Sequence, residues 1–134
     1  MLKGGCYCGS IRYEAAGEPF HETACHCSIC RRTSGAPLVA WFSVPRATFR
    51  FVAGAPTSFR STAKATRRFC GRCGTPLTFE HDDFADEIDV TTCSLDAPDD
   101  LPPHDHTHTS SKLLWMALAD GLPEHRGARE DGAA

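Results

Sequence analysis

The sequence predicts a mainly β domain with little helix. Short stretches rich in β-branched and aromatic residues recur along the chain, separated by Pro, Gly and Asp. The predicted strands are residues 10–14, 37–44, 48–52, 57–61, 77–80 and 88–92. The stretch 37–44 is long enough for a buried strand. Helical signals are confined to one turn after Ser28, ended by Gly35, and a weak i, i+4 pattern within residues 111–119.

Length and composition limit the organisation and the function classes. The chain has 134 residues, which is the size of one domain, and no repeat or linker divides it. We expect a single domain over residues 1–123 and a flexible tail over 124–134, which is rich in Gly, Ala and charge. The formal net charge of −3 argues against bulk nucleic-acid binding. No apolar run reaches the roughly 18–20 residues of a membrane span, and no secretory signal is visible, which favours the cytoplasm.

Cysteine is the residue that carries the chemical signal. The chain contains 8 Cys, and in a cytoplasmic protein such a pattern indicates metal binding or catalysis more than disulfides. Cys93 stands alone. The others form three clusters: Cys6 with Cys8; Cys25 with Cys27 and Cys30; and Cys70 with Cys73.

The first and last clusters predict a closed metal site. Cys70 and Cys73 have the C-x2-C spacing of a zinc knuckle, with a glycine after each cysteine. In a strand, Cys6 and Cys8 would point to the same face. Four thiolates around one ion make a structural zinc site, so we pair the two clusters. The alternative is that these are reduced cysteines packed in the core.

The middle cluster offers three ligands and leaves one coordination position without an assigned protein ligand. Catalytic zinc keeps such an open position, whereas structural zinc does not. Three interpretations remain. The site is open and binds substrate, or Cys93, His26 or a distant histidine closes it, or the cluster is metal-free and redox-active.

Four motifs, taken together, resemble those of the glutathione-dependent formaldehyde-activating enzymes, a family that includes centromere protein V. The resemblance covers roughly residues 4 to 123. The motifs are Gly5-Cys6-x-Cys8-Gly9, Cys25-x-Cys27-Ser28-x-Cys30-Arg31, Phe69-Cys70-x-x-Cys73-Gly74 and Ser94-Leu95-Asp96. The family fold that this implies is several small coiled β-sheets around zinc, similar to the methionine sulfoxide reductase B class.

The resemblance also implies two zinc ions per chain and a reaction. It places a structural zinc on Cys6, Cys8, Cys70 and Cys73, and a second, substrate-facing zinc on Cys25, Cys27 and Cys30. The implied activity is that of a carbon–sulfur lyase, which adds the zinc-held thiolate of glutathione to formaldehyde and gives S-hydroxymethylglutathione. The alternatives are a zinc scaffold that binds glutathione or another small thiol without turnover, and a zinc-ribbon-like interaction domain.

One residue departs from the family pattern. Cys93 precedes the Ser94-Leu95-Asp96 motif, where a small residue that is not a ligand is expected. It is either a small buried hydrophobe or a fourth ligand that closes the second site.

Two further residues are candidates for substrate binding. Arg31 follows Cys30 directly, and a guanidinium there would offset thiolate charge and could hold the carboxylates of glutathione. Arg67 and Arg68 are assigned to the scaffold. His106 belongs to a His-Asp-His-Thr-His stretch, residues 104–108, that could bind zinc but is expected to be a solvated strand or loop. The resemblance brings His106 near the active-site region, as a possible pocket residue.

Overall fold

The computed structural model describes residues 1–130 of the chain. Over this range the chain forms ten strands, one α-helix and several single 3₁₀ turns, so the prediction of a mainly β fold with little helix is confirmed. The strands are β1 Leu2–Gly5, β2 Arg12–Ala15, β3 Phe20–Cys25, β4 Val39–Pro45, β5 Phe49–Ala53, β6 Thr57–Thr62, β7 Ala65–Phe69, β8 Pro76–His81, β9 Glu87–Thr91 and β10 Asp105–Thr107; the helix is α1 Ser28–Ser34.

The strands form two sheets. The smaller has the order β1-β2-β5, and the larger has the order β10-β3-β4-β9-β8-β7-β6. All pairings are antiparallel except that of β10 with β3, which is parallel. The parallel pair aligns Thr107 with Cys25, so two segments far apart in sequence meet at the end of β3.

The two faces of the larger sheet differ in character. One face carries Phe42 and Val44 of β4 and Val90 of β9, which are fully buried in the apolar core against the smaller sheet. The alternating residues point to the opposite face, where Trp41 is buried beside Cys25 and Cys30. Buried polar side chains also lie on that face: Thr23, Ser43, Asp89 and Asp105.

The helix between β3 and β4 is capped at both ends. Cys27, rather than Ser28, is the N-cap, and its sulfur accepts a hydrogen bond from the Cys30 N–H at 3.2 Å. Gly35 ends the helix in the left-handed conformation, with φ of 67°, and its N–H donates to the Arg31 carbonyl at 2.8 Å. The prediction of a short helix ended by Gly35 is therefore confirmed.

The prediction of a helix within residues 111–119 is wrong. The chain makes a 3₁₀ turn at Thr109–Ser111 and then an irregular loop in which Leu114 is fully exposed. The Lys112 ammonium group donates to the Met116 carbonyl at 2.7 Å and so holds the loop in a non-helical shape. A two-residue apolar pattern is too short to impose a helix when neither side chain finds a core to pack against.

The polar stretch around residue 106 was expected to be a solvated strand or loop, but it is a buried strand. Asp105, His106 and Thr107 form β10 and are all at least 94% buried, at 6%, 4% and 0% exposed. Most of their side-chain polar atoms have partners: the Thr23 hydroxyl donates to the Thr107 hydroxyl at 3.1 Å, and the His106 ring meets His26 and Asp120.

The backbone that follows the expected boundary at residue 123 continues along β10. The His106 N–H donates to the Pro123 carbonyl and the His125 N–H donates to the His106 carbonyl, each at 2.8 Å. Arg129 also forms an ion pair with the buried Asp105. The remaining part of the expected tail, residues 131–134, lies outside the described residues.

Candidate functional site

The structure brings the first and last cysteine clusters together as predicted. The four sulfur atoms of Cys6, Cys8, Cys70 and Cys73 all lie within 4.8 Å of one another. The Cys6–Cys8 and Cys8–Cys70 sulfur distances are 3.6 and 3.8 Å. A tetrahedral zinc ion with Zn–S bonds of about 2.3 Å needs sulfur–sulfur separations of roughly 3.8 Å. This four-cysteine cluster therefore has the dimensions of a closed zinc site.

Backbone N–H groups and hydroxyls surround those sulfurs. The N–H of Ile11 donates to Cys6 at 3.3 Å, and the N–H of Cys73 donates to Cys70 at 3.4 Å. The hydroxyl of Thr75 lies 3.2 Å from the Cys73 sulfur. Hydrogen bonds from Thr75 lower the pKa of Cys73 to about 5. These donors favour thiolates, which is the form that binds zinc.

The middle cluster is built from one short stretch of chain. Cys25 ends β3, Cys27 caps α1 and Cys30 lies in its first turn, and their three sulfurs lie within 4.8 Å of one another. Cys25 and Cys30 are buried, at 1% and 4% exposed, whereas Cys27 is half-buried. Hydrogen bonds from the Cys25 and Cys30 thiols lower the pKa of Cys27 to about 2. The three-cysteine cluster therefore also fits a metal cation, on three sides.

None of the suggested fourth ligands, which were Cys93, His26 and a distant histidine, joins the three-cysteine cluster. Within residues 1–130, the grouping of possible metal ligands at this site contains the three cysteines alone. Cys93 is exposed on a separate cleft of about 450 Å³, so it is neither a buried hydrophobe nor a closing ligand. The ring of His26 is directed away, with Nε2 2.9 Å from Nδ1 of His106. All eight cysteines are free.

A buried pair of histidines supports the loop between Cys25 and Cys27. His26 is fully buried, its Nε2 meets His106, and Nε2 of His106 lies 2.8 Å from a carboxylate oxygen of Asp120. Burial lowers the pKa of His26, which favours the neutral ring. His106 thus lies behind the cluster and fixes the backbone that carries two of its cysteines.

The guanidinium beside the three-cysteine cluster belongs to Arg67. Its Nη2 donates to the Cys30 sulfur at 3.6 Å and its Nη1 donates to the Thr33 hydroxyl at 3.3 Å. It lies over the ring of Phe79, 4.9 Å from the ring centroid. Sequence reasoning assigned Arg67 to the scaffold, because its distance from Cys30 along the chain hides the contact. The contact follows only from the strand order of the larger sheet, in which β7 places Arg67 beside Phe79 of β8.

The predicted substrate residue Arg31 is placed differently. It lies on α1 and is half-buried, and its backbone makes the hydrogen bonds that cap the helix. Its Nε is buried without a partner among the described residues. Arg31 lines neither the cavity of about 270 Å³ that Arg67 borders nor the cleft of about 450 Å³ that Cys93 borders.

The fourth motif is part of the scaffold. The Ser94 hydroxyl lies 2.7 Å from the buried Tyr13 hydroxyl, Leu95 packs in the apolar core, and Asp96 forms an ion pair with Arg12 at 2.5 Å. These contacts tie the segment after β9 to the smaller sheet.

Comparison with known proteins identifies the family of the chain. The family model for the glutathione-dependent formaldehyde-activating enzyme matches residues 1–111. The chain belongs to this family. A curated protein of Halomonas elongata, provisionally named for the same family, is 28% identical over 127 residues, which cover 88% of this chain and 81% of that protein.

A solved structure confirms the fold. The crystal structure of a Rhodobacter sphaeroides protein superposes with a TM-score of 0.59, at 23% identity, and the match covers 92% of this chain and 98% of that one. Over residues 1–130, no helix is both long enough and apolar enough to cross a membrane.

Proposed function

We propose that the protein adds the thiol of glutathione to formaldehyde and releases S-hydroxymethylglutathione, as a carbon–sulfur lyase of its family. The observation that carries this proposal is the three-cysteine cluster, which offers three sulfurs and has no fourth protein ligand within residues 1–130. A structural site would be closed, as the four-cysteine cluster is. An open position beside a half-buried cysteine is where a thiol can bind.

Cys25, Cys27 and Cys30 would hold a zinc ion, and the four-cysteine cluster would hold a second one for stability. When bound, zinc supplies a thiolate from a thiol whose pKa is ordinarily about 8.5. The thiolate sulfur attacks the carbon of formaldehyde, a carbon–sulfur bond forms, and the carbonyl oxygen takes up the proton that the thiol lost. Arg67 contributes positive charge at the Cys30 sulfur. The reaction needs reduced thiols, which supports a cytoplasmic location.

Exchange spectroscopy with ¹³C-formaldehyde tests the proposal. Glutathione and formaldehyde combine slowly without a catalyst, so the measured quantity is the exchange rate between hydrated formaldehyde and S-hydroxymethylglutathione. The wild-type protein should accelerate exchange, and Cys93→Ser, which removes the exposed cysteine, should accelerate it equally. Cys27→Ser should not. A wild-type protein that binds glutathione without accelerating exchange would instead be a thiol-binding scaffold.

A further inference from the structure

We propose that the cavity beside α1 receives a carboxylate of the bound thiol and that Arg67 makes the site select carboxylate-bearing thiols. The inference rests on the proposed function in one respect, which is that a thiol binds at the three-cysteine cluster. It assigns to Arg67 the role that the sequence suggested for Arg31.

The cavity adjoins the cluster. It has a volume of about 270 Å³ and lies between α1 and strands β6 to β8. Its wall combines aromatic rings, including Trp41 and Phe59, with the side chains of Arg67 and Thr33. Trp41 packs against the buried Cys25 and Cys30, and Arg67 contacts the Cys30 sulfur, so these two side chains border both the cluster and the cavity.

Arg67 has no carboxylate partner in the described part of the chain. Its neighbour Arg68, which lines the same cavity, is ion-paired with Glu80. Arg67 instead donates one hydrogen to Cys30 and one to Thr33, and its Nε is buried without a partner. A guanidinium has five N–H donors, so three remain for an acceptor that enters the cavity.

The charges of the site make this guanidinium necessary for an anionic ligand. A zinc ion with three thiolates carries one net negative charge, and a bound substrate thiolate adds another. A carboxylate nearby would be repelled unless a cation lay between them. Arg67 occupies that position, because it contacts both the Cys30 sulfur and the cavity, and its stacking on Phe79 fixes the orientation of its donors.

The larger cleft lacks this feature. This cleft, beside Cys93, has a volume of about 450 Å³, and its wall contains Val39, Cys93 and other uncharged residues only. It offers nothing to compensate a carboxylate, so the smaller cavity is the better match for an anionic thiol.

A titration with two matched thiols tests the inference. Glutathione and its diethyl ester share the reacting thiol but differ in their carboxylates. Binding of each to the cobalt-substituted holoprotein is followed by the thiolate-to-cobalt absorption. The wild-type protein should prefer glutathione. Arg67→Gln should weaken glutathione about 10- to 100-fold and change the affinity of the ester by less than about threefold, since charge-assisted hydrogen bonds are lost only for the carboxylate.

Arg31→Gln is the matched control and should leave the preference unchanged. Equal weakening of both thiols by Arg67→Gln would overturn the inference, because Arg67 would then act on the Cys30 thiolate alone. A preference lost in Arg31→Gln would assign the role to Arg31 and overturn it as well. Metal content is measured for each variant.

If Arg67→Gln loses the second metal ion, Arg67→Lys decides the question. Lysine keeps the charge but not the forked donors, so the metal should remain and the preference for glutathione should fall several-fold. An unchanged preference in Arg67→Lys contradicts the inference. Since no step uses formaldehyde, a protein that shows the Arg67-dependent preference but does not accelerate exchange would disprove the proposed reaction and not this inference.

Discussion

The two cysteine clusters differ in how they are joined to the fold. The four-cysteine cluster connects segments more than 60 residues apart, and its Cys6 and Cys70 are buried in the main apolar core. The three-cysteine cluster comes from six consecutive residues at the edge of the polar face of the larger sheet. A metal ion in the four-cysteine cluster would crosslink segments that are distant in sequence. A metal ion in the three-cysteine cluster would only restrain one turn.

The groups around the sulfurs differ in the same sense. In the four-cysteine cluster they are short, fixed donors, such as the N–H of Ile11 and the hydroxyl of Ser10, which lies 3.1 Å from the Cys8 sulfur. In the three-cysteine cluster they include the charged side chain of Arg67, which donates to the Cys30 sulfur. The first arrangement suits an ion that is held permanently, and the second suits the binding of a ligand that we propose.

The largest effect is expected for Cys70→Ser. The variant should lose the cooperative unfolding transition, because structural zinc contributes about 10–16 kcal/mol in small zinc domains and whole domains are stable by only about 5–15 kcal/mol. Circular dichroism melts and zinc analysis measure both quantities. Cys93→Ser is the control and should melt like the wild type. A folded Cys70→Ser protein that retains two zinc ions would mean that this cluster does not hold the fold.

The second effect is expected for Cys27→Ser, which removes the half-buried ligand of the other cluster. The chain should stay folded with one zinc ion, lose about 1–2 kcal/mol of stability, and no longer change its metal absorption when thiol is added. Parallel melts of Cys27→Ser and Cys70→Ser compare the two sites directly. If Cys27→Ser is the more damaging, the assigned roles are reversed.

Sequence reasoning predicted what depends on local spacing. Strands β4, β5, β6, β8 and β9 have β-rich patterns and are found close to their predicted limits. The three-cysteine cluster and each half of the four-cysteine cluster were recognised because thiols two or three residues apart can share one ion, and the two halves were paired because a closed zinc site needs four ligands. Strand β3 was missed, since His21 to Cys25 shows no alternation, and β7 was missed because Arg67 and Arg68 dominate it.

What the sequence could not predict depends on long-range pairing. The burial of His106 requires β10 to pair in parallel with β3, 82 residues earlier, in the register that places His106 opposite Ala24. The contact of Arg67 with Cys30 requires the three strands between β3 and β7 to be ordered correctly. Chain proximity favoured Arg31 over Arg67, and proximity along the chain says little about which side chain reaches a site built across a sheet.

The third prediction concerns the polar face. Asp89 is 2% exposed, its Oδ1 accepts a hydrogen bond from the Ser43 hydroxyl at 2.5 Å, and burial raises its pKa to about 7. A carboxyl whose pKa is raised on folding favours the folded state most at low pH, and that contribution is lost as the pH rises from about 4 to 7. Between pH 5 and pH 8, this group should remove about 2–3 kcal/mol of stability.

Asp89→Asn should abolish that part of the pH dependence, measured by denaturant unfolding of the zinc-loaded protein at each pH. Val90→Ala is the matched control on the apolar face, where Val90 is fully buried. It should cost about 1–3 kcal/mol at every pH, because it removes contacts without changing a charge. If Asp89→Asn follows the wild-type pH profile, the carboxyl is not protonated on folding.

The smallest effects come from two glycines, one beside each cluster. Gly74 has φ of 83° and its N–H donates to the Cys70 carbonyl at 2.8 Å; Gly35 has φ of 67° and caps the helix that carries Cys30. A Cβ at either position would meet no atom within 4 Å, so an alanine adds only backbone strain, worth about 1 kcal/mol in each case. Both variants should therefore lose similar stability while affecting different sites.

Gly74→Ala should release the zinc ion of the four-cysteine cluster to a chelator faster and bind thiol normally. Gly35→Ala should retain that ion and bind thiol more weakly at the cobalt-substituted three-cysteine cluster. If both variants weaken thiol binding equally, the two sites are coupled through the sheet, and the division between a cluster that holds the fold and a cluster that binds a ligand does not stand.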